Sequence, residues 1–262
     1  MEVSELRRPL VPAPSWRGGT TALVTLVIVV LAVMTTSKSA YKFDDEFNGP
    51  ADSASNPANW SYDLGSTGFG AGQLETYTDS RANSYLDGQG HLVITVTKSN
   101  GTYRSARLVS KATFTEGDTI EARIKLDVQP GIWPSWWLLG ATQPWPAGGE
   151  VDMLENYGGA ITETTVHTPN GADATFSKFA QLPADTGWHT YQVQWTWAGF
   201  VFYRDGAKYL TVTPAQLKKW DYGPGDPMHM ILNVAVGGIA GTPPASAQFP
   251  VNAVEVDWVR AW

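Results

Sequence analysis

The sequence predicts an all-β fold, an antiparallel β-sandwich, on three observations. Residues 41–262 consist of short alternating or β-branched runs, such as His91–Thr97 and Gln192–Trp197, separated by Gly, Asn, Asp and Pro. Helical periodicity is absent apart from a single turn at Pro214–Lys219. The chain contains no cysteine, so the burial of apolar side chains, rather than disulfides, must hold the fold together.

The first forty residues differ in composition from the rest of the chain. Arg7, Arg8 and Arg17 precede an uncharged apolar run at Thr20–Met34, and small residues follow up to Ala40. This order is typical of a secretory signal peptide. Because the run is shorter than the roughly 20 residues that a membrane-spanning helix usually needs, we expect cleavage, with an uncleaved membrane anchor as the alternative. In both cases we expect residues 41–262 to lie outside the cytoplasmic membrane.

Residues 41–262 have the length of one all-β domain, with no internal repeat. Residues 1–40 hold four of the 18 basic and two of the 25 acidic residues, so the remainder holds 14 and 23, a net charge of −9. This charge disfavours nucleic acid and anionic polysaccharides as partners. We therefore expect the partner to be a neutral polysaccharide. We also expect a monomer.

Three carboxylates, Glu150, Asp152 and Glu155, lie within six residues of each other in otherwise apolar surroundings. Alternation along a strand puts Glu150 and Asp152 on one face and Glu155 on the other. One inserted residue, a β-bulge near Met153–Leu154, would return Glu155 to the acidic face. In a helix the two glutamates would point roughly 140° apart, so we predict a bulged strand.

Two carboxylates that face one cleft can hydrolyse a glycosidic bond. In the retaining reaction an ionised carboxylate attacks the sugar, and a protonated one donates to the leaving oxygen. The reaction needs carboxyl groups about 5–5.5 Å apart, whereas four strand positions span roughly 13 Å, so we also expect a strongly curved strand. Asp152, as a neighbouring like charge, should raise the pKa of a glutamate. The alternative is a surface strand with three solvated acids.

Tryptophans surround the acidic segment. Trp133 and Trp137 precede it in Gly131–Gly140, and Trp145 lies just before it. Because aromatic rings suit the apolar face of a pyranose, we predict that these three bind sugar. Four others lie in strand-like runs and are predicted to pack in the core: Trp195, Trp197, Trp258 and Trp262.

At these residues the sequence resembles glycoside hydrolase family 16, and within it the laminarinase-like endo-β-1,3-glucanases. The matching motifs follow one another along most of residues 43–262: Phe43–Gly49, Ser110–Lys111, Ile120–Lys125, Trp133–Gly140, Trp145–Glu155, Trp188–Tyr191, Tyr203–Gly206, Ile231–Gly238 and Val256–Arg260. The resemblance implies a β-jelly-roll sandwich with a concave substrate cleft. It also implies Glu150 as the nucleophile, Glu155 as the acid/base, a neutral β-glucan as the substrate, and catalysis that needs no cofactor.

The resemblance implies further contacts with the substrate. His167 should lie on the next strand, beside the acidic one and towards the leaving group, although a lone histidine is more often structural. Asn233 should face the cleft, and the glycine-rich residues 65–72 should form a loop over it. The family commonly has Asn-Glu-Leu-Gln where this chain has Gly72–Glu75, so Gln and Glu have exchanged places. The exchange leaves β-1,3, mixed β-1,3-1,4 and galactan linkages open.

A structural calcium ion is also implied by the resemblance. The family brings the acidic residues near Glu46 together with Asp257 on the convex side. Backbone carbonyls near Glu46 and Gly90, with the Asp257 carboxylate, would offer the oxygen ligands that Ca²⁺ prefers. Ordinary surface acids are the alternative.

Two other functions remain possible on the same sandwich, since a fold does not imply a function. One is a non-catalytic β-glucan-binding lectin, although such relatives usually lose one or both glutamates and this chain keeps all three acids. The other is a transglycosylase, which uses the same acids but transfers the glycosyl group to a sugar.

Overall fold

The computed structural model describes residues 41–67, 69–70, 72–169, 175–217 and 222–262, with the backbone alone for 175–178. The predicted signal peptide or anchor at 1–40 lies outside these residues. So do Gly68 and Ala71 of the predicted loop, and Lys218 and Lys219 of the predicted turn. Residues 40–262 form one compact unit. In the part of the chain that is described, no helix is long and apolar enough to cross a membrane.

Short strands make up nearly all of the regular structure, which confirms the predicted all-β class. The first nine are β1 (Phe43–Asp45), β2 (Trp60–Tyr62), β3 (Glu75–Tyr77), β4 (Ser84–Leu86), β5 (Leu92–Ser99), β6 (Thr102–Ser105), β7 (Arg107–Phe114), β8 (Thr119–Leu126) and β9 (Ile132–Gly140). The others are β10 (Glu150–Asn156), β11 (Ile161–Pro169), β12 (Thr175–Pro183), β13 (Trp188–Thr196), β14 (Gly199–Arg204), β15 (Ala207–Val212), β16 (Met228–Val236) and β17 (Val251–Ala261). Two 3-10 turns, Pro214–Gln216 and Gly238–Ala240, complete the regular structure. The first lies within the predicted turn at Pro214–Lys219.

Two sheets form the sandwich. The seven-stranded sheet has the order β12-β11-β10-β9-β16-β7-β2, and all its pairs are antiparallel. The ten-stranded sheet has the order β15-β14-β13-β8-β17-β5-β6-β3, with β1 beside β17 and β4 beside β5. The acidic strand β10 lies between β9 and β11, two strands from the β12 edge of its sheet.

One apolar core lies between the sheets. Alternate residues of β8 are buried, as expected for a strand with one face on the core. Trp136 and Leu232 of the seven-stranded sheet and Trp195 and Phe202 of the ten-stranded sheet are each fully buried in the same cluster. The chain has no disulfide, so this burial is the main stabilising term.

The prediction that four tryptophans are core residues is right for Trp195 and wrong for the others. Trp197 lies in the turn after β13 and is 79% exposed, and Trp262 is 38% exposed at the chain end. In β17 the register shifts between Val256 and Trp258. This bulge turns Trp258 to the outer face, where the Arg260 guanidinium lies 4.3 Å from its ring. The sequence pattern gave no sign of the bulge.

We predict that Gly131, which precedes β9, tolerates no side chain. Its φ of +80° is in the left-handed region, and an added Cβ would lie 2.3 Å from the Pro243 nitrogen. Gly131→Ala should lower the free energy of unfolding by at least about 2 kcal/mol, or about 4–8 °C in Tm. Gly159→Ala is the matched control, because its Cβ would meet nothing within 4 Å. Equal melting temperatures for the two variants would contradict the prediction.

Candidate active site

The acidic strand β10 contains the predicted bulge. Against β11, the register passes from Asp152↔Thr165 to Glu155↔Glu163, so three steps in β10 correspond to two in β11. Against β9, the same shift falls between Asp152 and Leu154. Met153 and Leu154 are both buried in the core. The extra residue therefore returns Glu155 to the face that carries Glu150, and the predicted bulge is confirmed.

A cleft of about 670 Å³ crosses the seven-stranded sheet at this bulge. All eight residues predicted as catalytic or sugar-binding line it: Trp133, Trp137, Trp145, Glu150, Asp152, Glu155, His167 and Asn233. Gly70 of the predicted glycine-rich loop also lines it. The structure thus brings the predicted site residues together, while their individual roles remain predictions.

Strand alternation explains which neighbours share the cleft. On β9 the residues with odd numbers from Trp133 to Leu139 line it, and on β11 Glu163, Thr165 and His167 do so. Glu150 pairs with His167, as the sequence predicted for the strand beside the acidic one. Thr165 and Glu163 lie two and four residues before His167, so alternation along the strand would have identified them. The sequence analysis missed both.

Glu150 is held from two directions. Trp145 Nε1 donates to its Oε2 at 2.6 Å, and the Glu150 backbone N–H donates to the Tyr222 hydroxyl at 3.2 Å. The Tyr222 hydroxyl also contacts the His167 carbonyl oxygen on the neighbouring strand. The Tyr222 ring packs against Gly149 and requires a glycine there, since an added Cβ would lie 2.6 Å from that ring. Trp145 therefore orients a carboxylate as well as lining the cleft.

Glu155 has a separate set of donors. Trp133 Nε1 donates to its Oε1 at 2.9 Å, and the Tyr157 hydroxyl donates to its Oε2 at 2.8 Å. The two aromatic rings pack edge to face at 5.3 Å. Both oxygens of Glu155 are thus fixed, and Tyr157, another residue that the sequence analysis missed, lies only two positions further along the chain.

Burial raises the pKa of all three acids. It raises the pKa of Glu150 to about 8, with the charge of Asp152 as the second cause. It also raises the pKa of Glu155 to about 7, although the hydrogen bonds from Tyr157 and Trp133 lower this pKa. The pKa of Asp152 is raised well above its usual range by burial and then by Glu155 and Glu163. Desolvation, rather than the predicted like-charge repulsion, is therefore the larger cause of the raised pKa values. As a result, carboxyl groups in the cleft hold protons near neutral pH.

Asp152 links the acids to the next strand. Its Oδ2 lies 3.0 Å from His167 Nε2, and its side chain is almost completely buried. Because the Asp152 charge helps to raise the pKa of Glu150, a proton held on Asp152 would favour the ionised form of Glu150. His167 thus has a structural partner and also lines the cleft.

A chain of hydrogen bonds builds the cleft wall on the far side of β9. Trp137 Nε1 donates to Asn233 Oδ1 at 2.7 Å, and Asn233 Nδ2 donates to the Tyr77 hydroxyl at 3.1 Å. The Tyr77 hydroxyl donates to Gln73 Oε1 at 3.2 Å. Asn233 is only 3% exposed, and its side-chain amide bridges Trp137 and Tyr77. It fixes the plane of an aromatic wall of the cleft.

Comparison with known proteins fits this arrangement of acids and aromatic rings. The profile of "Glycosyl hydrolases family 16" matches residues 72–260. The chain belongs to glycosyl hydrolase family 16. It is 33% identical over 233 residues to a beta-glucanase of Rhodothermus marinus, covering 79% of each chain.

Solved structures of the family have the same fold. A beta-1,3-glucanase from Mycobacterium marinum is 35% identical, with a TM-score of 0.75 over 86% of this chain and 100% of its own. A Mycobacterium tuberculosis protein, described as an immunostimulatory antigen and pseudo beta-1,3-glucanase, is 34% identical, with a TM-score of 0.73 over 85% of this chain and 98% of its own. As a family 16 member the chain is a glycoside hydrolase of the beta-glucanase group, and the predicted jelly-roll sandwich is confirmed.

The exchange of Gln and Glu relative to the usual family 16 motif has a structural counterpart. Gln73 lines the cleft, whereas Glu75 is 2% exposed and accepts a hydrogen bond from the Val236 backbone N–H at 2.6 Å. Burial raises the pKa of Glu75. The neutral amide of Gln73 therefore lies in the cleft. The carboxyl group of Glu75 lies below it and links β3 to β16 by a hydrogen bond.

Arg107 was missed from the sequence although it lines the cleft. Its guanidinium lies between two rings, 5.1 Å from the centroid of Phe69 and 4.8 Å from that of Trp137. Its Nε donates to Asp63 Oδ2 at 2.9 Å. The positive charge lowers the pKa of Glu150, although burial outweighs it.

The residues of the predicted calcium site are engaged in ion pairs. Arg123 donates to the Asp257 carboxylate at 2.5 Å, and Arg260 pairs with Glu46. Among the described residues, no group of three or more His, Cys, Asp or Glu side chains is arranged to hold a metal ion. The predicted ligands at Glu46 and Gly90 are backbone carbonyls, which these side-chain ion pairs do not involve, and Arg123 contacts only one of the two Asp257 carboxylate oxygens. The calcium site remains a prediction.

We predict that Tyr157→Phe raises the pKa of Glu155. The Tyr157 hydroxyl donates to the ionised form of Glu155 and lowers its pKa, so its removal should move the titration upward by about 0.5–1 unit. Carbon-13 NMR of labelled glutamate carboxyl groups measures this. Tyr203→Phe is the control, since that hydroxyl bonds Gln194 in the other sheet. An unchanged or lower pKa in Tyr157→Phe would contradict the prediction.

Proposed function

We propose that this chain is an endo-acting, retaining hydrolase of β-1,3-glucan that works through a glycosyl-enzyme intermediate. The observation that carries the proposal is the bulge in β10, which puts Glu150 and Glu155 on one face of one cleft. Each glutamate has its own indole donor, Trp145 for Glu150 and Trp133 for Glu155. Two separately held carboxyl groups suit two different roles.

In the first step Glu150 acts as the nucleophile and Glu155 as the acid. The ionised Glu150 carboxylate attacks the anomeric carbon, the glycosidic bond breaks, and Glu155 transfers its proton to the leaving oxygen. Burial favours the protonated form of Glu155, which an acid needs near neutral pH. His167, the Trp145 N–H and Arg107 lower the pKa of Glu150, but burial and the charge of Asp152 outweigh them and raise it to about 8, above the pKa of about 7 for Glu155. This order is the reverse of the one that the two roles need, so Glu150 has to lose its proton before it attacks, and the assignment rests on the positions of the acids rather than on their pKa values.

In the second step Glu155 acts as a base. It takes a proton from water, the water oxygen attacks the anomeric carbon, and the bond to Glu150 breaks with retention. The Trp133 and Tyr157 donors stabilise the Glu155 carboxylate that the first step leaves. Both steps use only side chains of this chain and water.

The choice of substrate rests on the cleft and the relatives. Lining residues come from five neighbouring strands, β11, β10, β9, β16 and β7, so the cleft runs across the sheet, which suits an internal stretch of polymer. The net charge of −9 for residues 41–262 favours a neutral glucan. The beta-1,3-glucanase named among the solved structures supports the choice of the β-1,3 linkage.

A non-catalytic β-glucan-binding protein is the second candidate function. The observation in its favour is the relative described as a pseudo beta-1,3-glucanase, which is 34% identical to this chain. The intact and separately supported acids favour the enzyme. A transglycosylase would use the same acids, and incubation at high oligosaccharide concentration would reveal it through products longer than the substrate.

The proposal predicts that the protein releases reducing ends from β-1,3-glucan. Glu150→Gln should keep the fold and lose about 10³-fold or more of this activity, because an amide cannot attack the anomeric carbon. Glu150→Ala with added azide should regain turnover and give an inverted glycosyl azide. Glucan binding by the wild type without release of reducing ends would favour the binding protein.

A second prediction assigns the acid to Glu155. In Glu155→Ala, hydrolysis of the glucan should fall by about 10²–10⁴-fold, because no group protonates the leaving oxygen. An aryl β-glucan oligosaccharide needs little protonation, so it should still give a burst of phenol, followed by slow turnover. The burst is measured by stopped-flow absorbance. Equal losses on both substrates would mean that another residue is the acid.

A further inference from the structure

Phe179 lies outside the cleft described above and is 60% exposed. Its strand, β12, is the edge of the seven-stranded sheet, two strands from the acidic strand β10. Single exposed apolar side chains are ordinary on protein surfaces. What distinguishes Phe179 is its position relative to the catalytic acids.

The register puts Phe179 on the face of the sheet that carries the cleft. It pairs with Thr165 of β11, Thr165 pairs with Asp152 of β10, and Asp152 pairs with Trp137 of β9. Residues directly opposite each other in antiparallel strands project to the same face. Thr165, Asp152 and Trp137 all line the cleft. Phe179 therefore continues the same row of side chains across a fourth strand.

A hydrogen bond on the same two strands supports this orientation. Gln181, two residues after Phe179, donates from Nε2 to Oε2 of Glu163 at 2.9 Å. Glu163 lines the cleft, so the side chains of β12 with this alternation project towards it. The Thr165 hydroxyl donates to the other Glu163 oxygen at 3.3 Å. An exposed aromatic ring thus lies beside an ordered group of polar side chains.

The spacing of the strands sets the reach of this surface. Neighbouring strands are about 4.8 Å apart, so β12 lies roughly 10 Å beyond β10. Trp137 lies one strand from β10 on the other side. A chain that crosses the strands over the acids would meet Trp137 on one side and Phe179 on the other, provided that it is long enough.

We propose that Phe179 is a stacking platform for a distal sugar residue of the glucan, beyond the acids on the β11–β12 side. The inference rests on the function proposed above. The exposed ring offers the apolar surface that a pyranose face requires. The Gln181 amide and the Glu163 carboxylate beside it offer donors and acceptors to the sugar hydroxyls. Phe179 then determines how strongly the protein prefers long chains to short ones.

The test is a ladder of β-1,3-linked gluco-oligosaccharides of increasing length, with affinities measured by calorimetry in the Glu150→Gln background, which should not consume them. In Phe179→Ala the longest members should bind roughly two- to tenfold more weakly, while the shortest bind as before. Phe179→Trp should retain the gain in affinity with length. Trp197→Ala is the matched control, because Trp197 is 79% exposed in a turn of the other sheet.

Each outcome is decisive. The same dependence on length in Phe179→Ala as in its parent, or an equal loss for short and long members, would overturn the role of Phe179. Failure of the wild type to release reducing ends would overturn the proposed hydrolase activity. The affinities for oligosaccharides of increasing length would still test the role of Phe179, because they measure binding alone. Failure of the wild type to bind any β-1,3-glucan would overturn both proposals.

Discussion

The single extra residue in β10 is the constraint on which the site depends. Strict alternation would put Glu155 in the apolar core, because the period of two assigns Glu150, Asp152 and position 154 to the cleft face, and Val151, Met153 and position 155 to the core face. The bulge buries Met153 and Leu154 together and frees Glu155 for the cleft. A local irregularity in one strand thus converts a structural sheet into one that presents two glutamates to the same space.

Burial of the acids is stabilised by the donors around them. A buried carboxylate without partners is costly, and each oxygen that accepts a hydrogen bond reduces that cost. Trp133, Trp145 and Tyr157 supply these bonds from rings that also form the cleft wall. The same apolar rings exclude water and so raise the pKa values of Glu150 and Glu155. The aromatic residues therefore both shift the protonation of the acids and fix their positions.

The sequence predicted those parts of the structure that depend on local pattern. The bulge followed from the alternation of Glu150, Asp152 and Glu155, and the cleft tryptophans followed from their density beside the acids. Features that depend on pairing between distant strands were missed. Arg107 reaches the cleft only because β7 pairs with β16, and Asp257 meets Arg123 only because β17 pairs with β8. The outward turn of Trp258 depends on a bulge that no residue type marks.

Dual roles of the cleft residues affect how substitutions should be interpreted. Trp133 and Trp145 were expected to bind sugar, yet each also donates to a catalytic glutamate. Replacing either by alanine would remove a stacking surface and a hydrogen bond at once, so loss of binding could not be separated from a change in protonation. Phenylalanine keeps one aromatic ring but removes the N–H together with the second ring of the indole. The difference between the two substitutions therefore reports the stacking of a single ring, and the pKa of the glutamate in the Phe variant reports how far the indole donor controls the carboxyl group.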